Sequence, residues 1–362
     1  MTKTLRIAIA GLGTVGAAVF DILEEKADLL SQKTGDRVRF EVVAVSARNA
    51  DKDRGINISG CAWEDDARDL LEGYDIDILV ELIGGADGIA YDLVTGALLR
   101  GIDVVTANKA LVSKHGKLLS ELSERHKAQI FYEAAVGGAI PAIKSIREAF
   151  ACNEISSVFG ILNGTCNYIL TEMEKTGEPF EKILKTAQEM GYAEADPSFD
   201  IDGIDTAHKL SIISALSYGL YPDTEEMFVK GITIITAKDI AKAASDHCRI
   251  KLLGMVKKTD NKITQIVAPC LVPLDHPLAM VDGSFNAVFI AGDDIDSAFI
   301  QGRGAGARPT ASAVLSDIID LGNGARRPMF GIPDKYLVDI NTAESGAWDK
   351  SGLMHINDFT AP

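Results

Sequence analysis

The chain has 362 residues, 47% of them hydrophobic, enough for a sizeable core and for more than one domain. A formal net charge of −16 disfavours a nucleic-acid partner, which calls for a basic face, and no uninterrupted apolar run offers a membrane span. The five cysteines, at 61, 152, 166, 248 and 270, form no CxxC pair, which argues against a disulfide framework and a zinc site; with no leader-like N-terminus, a reducing cytoplasm is the expected setting.

In chain order, LRIAIAG (5–11) is an apolar run closing on glycine, followed by GLGTVG (11–16) and a helical pattern in VGAAVFDILEEKADLL. RFEVVAVSAR (39–48) and DIDILVELIGG (75–85) read as strands, with a helix near 88–100, a strand in GIDVVTANK (101–109), a helix over 110–127 and a strand QIFYEAAV (129–136). Strands alternating with helices predict a Rossmann-type, doubly wound parallel sheet over residues 1–142. Beyond 143 the character changes: helical patterns at 165–192, 205–219 and 226–245 precede strand-like segments at 249–258, 262–272 and 285–291. That is the pattern of an α+β substrate-binding domain over 143–304. GRGAGARPTASAVLSDIIDL (302–321) reads as a Gly-rich loop feeding a helix that returns to the first domain over 305–330. The tail 331–362 shows little periodicity.

GxGxxG alone is a weak signal, but Gly11, Gly13 and Gly16 follow a strand and open a helix, which is the context the motif needs. Gly11 permits the turn, Gly13 lets backbone approach a pyrophosphate, and Gly16 allows close helix packing. Thr14 and Val15 complete the loop at a helix N-terminus that favours phosphate. A purely structural Gly-rich turn is the alternative. At the end of the second strand, where an acid would grip the ribose 2′-OH of NAD, the sequence runs AVSARNADKDR. Arg48, with Lys52 and Arg54 nearby, suits a 2′-phosphate, so NADP is favoured over NAD. A solvated loop of mixed charge is the other reading, since Asp51 and Asp53 intervene.

In GYAEADPSFDIDGIDTAHKL (191–210), Glu194, Asp196, Asp200, Asp202 and Asp205 precede Lys209. Asp205 and Lys209 are four apart on a helix face. Pro197 breaks the preceding helix, so Glu194 and Asp200 have the freedom to fold back toward them. Carboxylates around a lysine suit a substrate carrying its own ammonium, with the lysine handling a proton. A surface acidic loop with a helical ion pair explains the same spacing. Lys109 ends a strand on the side where open α/β sheets bind ligands, which favours contact with cofactor or substrate over a plain first helical turn. His208, one step round the helix, reads as structural or solvent-facing.

AQEMGYAEADPSFDIDGIDTAHK (187–209), GLGTVG, VVTANKALVSKHG, YEAAVGGAIPAI (132–143), NGTCNYIL (163–170) and GRGAGARPTASAVLSDI (302–318) together resemble the homoserine dehydrogenase family over nearly all of 5–330. The resemblance implies NADPH-linked, reversible reduction of L-aspartate 4-semialdehyde to L-homoserine, in threonine and methionine biosynthesis. It implies Lys209 as acid/base with Asp205 beside it, Lys109 as a second active-site lysine, and Glu194, Tyr192, Asp200 and Thr165 as substrate contacts. Gly306 would lie near the nicotinamide. A monovalent cation, sodium by its hard oxygen donors, would be held by Glu133, Val136, Gly138 and Ile140. The family also implies a homodimer or homotetramer, with 143–304 as the dimerisation domain. MFGIPDKYL, from Met329, resembles a lead-in to a regulatory ACT domain, and the residues after it are too few for one. Two further readings stand beside this: a thiol enzyme of the aspartate-semialdehyde dehydrogenase type using Cys166, and a non-catalytic NADP-binding sensor.

Overall fold

The computed structural model describes residues 2–225, 227–260, 262–340 and 353–360. The chain divides into two compact units, one of residues 1–144 with 305–338, the other of 145–304 with 339–362. No helix among the described residues is long and apolar enough to cross a membrane.

The first unit is built on β1 (Lys3–Ala10), β2 (Val38–Ser46), β3 (Ala62–Glu64), β4 (Ile78–Glu81), β5 (Asp103–Thr106) and β6 (Ile130–Phe131). All pair in parallel, in the order β3-β2-β1-β4-β5-β6, the doubly wound arrangement of a dinucleotide-binding sheet. Covered on both faces, its strands are nearly continuous apolar runs: Ile7 to Ala10 and Ile78 to Val80 are buried without a break. The register sets Ala10 beside Ser46 and Glu81, and Glu81 beside Thr106, so the chain leaves these strands along one edge. The reversal of strand order falls between β1 and β4, where such sheets bind their ligands. Helix Ala307–Gly322 packs on helix Thr14–Glu25, and its Val314, Ile318 and Leu321 join the core of β1 and β2.

The second unit holds β7 (Ile155–Ile161), β8 (Phe228–Val229), β9 (Cys248–Thr259), β10 (Lys262–Pro273), β11 (Phe285–Gly292), β12 (Asp296–Arg303) and β13 (Met354–His355). Their order is β12-β11-β7-β9-β10-β13, with β8 also on β10; β8 and β13 run parallel to β10 and the rest are antiparallel. One face carries helices Gly164–Thr176 and Ile204–Tyr218. Gly254 lets the second approach: a Cβ there would stand 3.1 Å from Thr206 Cγ2. The other face, with Phe159, Leu253, Met255 and Ile266, is covered by Leu278 and by Ile356 and Phe359.

Several elements differ from expectation. The pattern at 165–192 is broken into Gly164–Thr176 and Phe180–Glu189, because Gly177 takes a left-handed cap (φ 70°) and Pro179 follows. The helix expected from 226 begins at Ala237, behind a capping box of Thr236 and Asp239, and β8 stands before it. The strand expected at 129–136 ends at Phe131, and a single turn Glu133–Ala135 follows, as the Glu133 N–H leaves the sheet to donate to Asp317 Oδ2 at 2.8 Å. β7, β12 and the tail elements were not anticipated; residues 341–352 and 361–362 of that tail lie outside the described residues.

Candidate active site

In the first unit the glycine loop is as tight as its sequence demands. Gly11 has φ +101° and a Cβ there would stand 2.6 Å from Leu82 O; at Gly16 it would stand 1.9 Å from Gly11 O. Gly13, by contrast, faces open space, with nothing within 4 Å of an added Cβ. That opening is where a pyrophosphate would need to come close to backbone. Thr14 is exposed on the first turn of its helix and Val15 packs on the core. A cavity of about 370 Å³ adjoins the loop, lined by Gly11, Gly13, Ser46, Arg48, Asn49 and Lys52 among others. Arg48 and Lys52 are exposed at its rim. Arg54 is not available to a ligand in the same way: its guanidinium donates to the carbonyls of Leu12 (3.0 Å), Asn49 (2.5 Å) and Lys52 (2.7 Å) and lies over the Trp63 ring. It fastens this loop to the glycine loop.

The neighbouring strand ends are tied by a buried carboxylate that sequence reasoning passed over. Glu81 Oε1 accepts from the N–H groups of Ile83 and Gly84, and its Oε2 accepts from Thr106 Oγ1 at 2.6 Å. Thr106 Oγ1 in turn accepts from Asn108 N, and Asn108 caps helix Lys109–His126 through Leu111 N while donating to Gly85 O. Gly84 and Gly85 both take φ +85°, open to a flat ligand. Lys109 is thereby fixed as the first residue of its helix, half-buried, where an ammonium opposes the helix dipole.

Lys209 is the centre of the second unit's polar cluster. Its side chain is only 11% exposed, and Nζ donates to Asp205 Oδ2 and to Leu162 O, both at 2.7 Å. Asn163, which caps helix Gly164–Thr176 by accepting from Cys166 N, donates from Nδ2 to Asp205 Oδ2 (2.9 Å) and Asp200 Oδ1 (2.7 Å). The surface-ion-pair reading therefore fails. So does a cage of five acids, because only Asp205 and, through Asn163, Asp200 are tied to the lysine, while Glu194, Asp196 and Asp202 are exposed. Burying that many carboxylates against one ammonium would leave charge uncompensated. Two of the three Lys209 N–H groups are thus committed, which leaves one for a reacting oxygen.

Thr165 and Tyr192 come together, Thr165 Oγ1 donating to Tyr192 O at 2.8 Å, with the Tyr192 ring against Tyr168. Glu194 accepts from Gln188 Nε2 through its carbonyl, leaving its carboxylate outward. His208 sets its ring edge-on to Phe199. Cys166 is buried, its Sγ donating to Asp200 O, and burial together with the Asp200 charge pushes the thiol well above its usual range. A nucleophilic thiolate is disfavoured there. Gly306, φ +121°, opens helix Ala307–Gly322, and Arg303 lies over the Phe285 ring.

Glu133 is buried, accepting from Ile143 N (3.0 Å) and Lys144 N (2.8 Å). Burial, then the Asp317 charge, pushes its carboxyl up to about 8. Lys144 is the ammonium here, and it is shared between Asp317 (3.3 Å) and Asp320 (2.6 Å). The turn beyond runs through Val136, Gly138 (φ +58°) and Ile140, whose carbonyl accepts from Ala142 N. No group of three His, Cys, Asp or Glu side chains among the described residues is arranged for a metal ion.

Residues 141–319 match the family described as homoserine dehydrogenase, and 11–133 match the homoserine dehydrogenase NAD-binding domain. The homoserine dehydrogenase of Neisseria gonorrhoeae is 42% identical, over 88% of this chain and 72% of that protein; that of Helicobacter pylori is 39% identical, over 95% and 80%. Among solved structures, a homoserine dehydrogenase from Thiobacillus denitrificans superposes with a TM-score of 0.89 at 39% identity, over 94% of this chain and 80% of that one. A hyperthermophilic archaeal homoserine dehydrogenase in complex with NADPH superposes at 0.74 and 29% identity, over 88% and 97%. With a dinucleotide-binding sheet, a glycine loop and a buried lysine–aspartate pair behind these matches, the chain belongs to the homoserine dehydrogenase family, NAD(P)-dependent oxidoreductases acting on a CH–OH group.

Proposed function

We propose that this chain reduces L-aspartate 4-semialdehyde to L-homoserine, reversibly, with Lys209 as the proton donor and acceptor. The observation that carries this is the Lys209 ammonium, buried, held by Asp205 and Leu162 O, with one N–H uncommitted. A bound nicotinamide supplies hydride to the aldehyde carbon or takes it from the alcohol carbon. In the reductive direction Lys209 gives its proton to the oxygen of the substrate, and in the oxidative direction it removes that proton. Asp205 fixes the side chain, and Asn163 fixes Asp205. Asp200, Glu194, Thr165 and Tyr192 are assigned to the amino-acid end of the substrate, the two carboxylates suiting its ammonium. Lys109 is assigned to the same reaction from the strand end it occupies.

NADP is the preferred cofactor in this reading. No acid ends β2, Arg48 and Lys52 line the cavity beside the glycine loop, and the archaeal relative was solved with NADPH. A sodium ion is assigned to Glu133, with carbonyls of Val136, Gly138 and Ile140, because that carboxyl is buried beside the Asp317 charge. Assembly into a homodimer or homotetramer is supported by β12, an edge strand of the second unit with Phe299 37% exposed. The cytoplasm is the proposed site of action.

Replacing Lys209 by Ala is expected to lower kcat at least about 10²-fold, since positioned proton transfer contributes ~10²–10⁴-fold. NADPH binding, followed by its fluorescence, is expected to survive. Turnover close to that of the parent would overturn the assignment and favour the sensor or another acid.

A further inference from the structure

We propose that Asn286 is a positioning residue for this reaction, holding the Leu162 carbonyl so that Lys209 presents its free N–H in one direction. The inference deepens the function proposed above and rests on Lys209 being the acid/base group.

Asn286 lies at the start of β11 and is 1% exposed. Its Nδ2 donates to Leu162 O at 2.9 Å, the same oxygen that accepts from Lys209 Nζ at 2.7 Å. A peptide carbonyl only accepts, so the nitrogen of the amide must be the atom turned toward it. The oxygen then points the other way. Oδ1 is buried and has no hydrogen-bond partner among the described residues. An orphaned acceptor of this kind weakens a fold, and an apolar side chain of similar shape would avoid it. Asn286 is therefore not a stability device.

The chain around it is shaped to admit the amide. A Cβ on Gly304 would stand 2.1 Å from Asn286 Cγ, and one on Gly164 would stand 2.8 Å from Ser284 O and 3.5 Å from Asn286 Oδ1. Leu162, Asn163 and Gly164 follow β7 directly. One short segment thus carries the acceptor for Lys209, the clamp on Asp205 and the clearance for Asn286. Pinning the Leu162 carbonyl pins the peptide that joins the first two. Proton transfer needs its donor within hydrogen-bond reach of the reacting oxygen, so a small swing of this peptide carries a large kinetic penalty.

The charged and titratable groups near Lys209 include Asp205 and His208 on its own helix and Asp200 on the preceding turn, tied to Asp205 through Asn163; Cys166, on helix Gly164–Thr176, feels the charges of Asp200, Asp205, Lys209 and Asp202. Segment Ser145–Ala149, packed on the same helix, brings Arg147 and Glu148, paired with each other at 3.0 Å. β9 meets the helix at Gly254 and β10 meets its start at Val267. Asn286 is neutral among these, so changing its charge is a direct probe.

The test is the pH profile of homoserine oxidation, with thermal unfolding measured alongside. Asn286→Asp keeps the volume and places a carboxylate against Leu162 O. It is expected to hold Lys209 protonated to higher pH and move the half-maximal pH of oxidation up by about one unit or more. Asn286→Ala is expected to lower kcat about tenfold or more, with the KM for NADP⁺ within about twofold and no loss of melting temperature beyond that of a small cavity. If the Asp variant does not fold, the Ala variant decides alone. A kcat within about twofold and an unmoved profile, in enzyme that Lys209→Ala inactivates, would overturn the proposal; so would a kcat loss matched by general unfolding. Normal turnover by Lys209→Ala would instead mean that the acid/base assignment itself had failed.

Discussion

Lys251 offers a test of the electrostatics that stands apart from catalysis. It sits on β9, 1% exposed, with Nζ donating to Asn167 Oδ1 (3.1 Å) and Val281 O (2.5 Å). Its nearest carboxylate in this cluster, Asp282, is 3.7 Å away and half-exposed, and the Arg249 guanidinium is held by the same acid. Burial first, then the Arg249 charge, lowers the ammonium from its usual 10.5 to about 8. A base whose folded value lies below its unfolded one is held more tightly by the unfolded chain. Below about pH 8 both states are protonated and the folded state carries the full penalty, which is relieved as pH rises toward 10.5. That difference corresponds to roughly 3 kcal/mol. Lys251→Met removes the charge and both hydrogen bonds, but the lost bonds weigh equally at every pH and cancel in the comparison. Urea unfolding of both proteins at pH 7 and pH 10.5 should therefore show the parent gaining about 3 kcal/mol on the variant at the higher pH. Parallel stabilities at the two pH values would refute the account of a strained buried ammonium.

The remaining tests separate the glycine loop, the cofactor and the cation. Gly16→Ala must displace Gly11 O, so overpacking of roughly 1–3 kcal/mol should appear in its melting temperature. Gly13→Ala, which meets nothing in the protein, should melt like the parent yet bind NADPH more weakly; equal binding would place the pyrophosphate elsewhere. Arg48→Ala should raise the KM for NADPH about tenfold or more and leave that for NADH unchanged, whereas an unaltered ratio removes Arg48 from the preference. Glu133, its carboxyl raised from 4.5 to about 8, loses stability as pH climbs through that window. Sodium chloride should restore it at pH 9 better than choline chloride does, and Glu133→Gln should abolish the difference; no ion dependence in the parent argues against sodium there.

What the sequence made legible was local. The parallel sheet could be read because its strands are uninterrupted apolar runs, and the Asp205–Lys209 pair because helical spacing puts both on one face. β12 was obscured because an edge strand with alternating exposure ends in the glycines of GRGAG. The two-residue β13 is too short to show any period. In the site, Asn163 and Asn108 had a usable signal, an asparagine immediately before a helical run, which marks an N-cap. Asn286 had none. Its partner Leu162 is 124 residues away, and a single backbone carbonyl carries no side-chain signature. Lys251 was hidden for the opposite reason, as one more lysine near the start of an apolar strand, capped in the fold by the distant Asn167 and Val281.

Helix Ala307–Gly322, which closes the core over β1, is made late, after nearly the whole second sheet. On the ribosome, therefore, the glycine loop emerges early yet waits, its helix Thr14–Glu25 carrying an uncovered apolar flank, until about 320 residues have been translated. Nascent chains halted near residue 304 should bind a chaperone through that flank and release it once the later helix arrives.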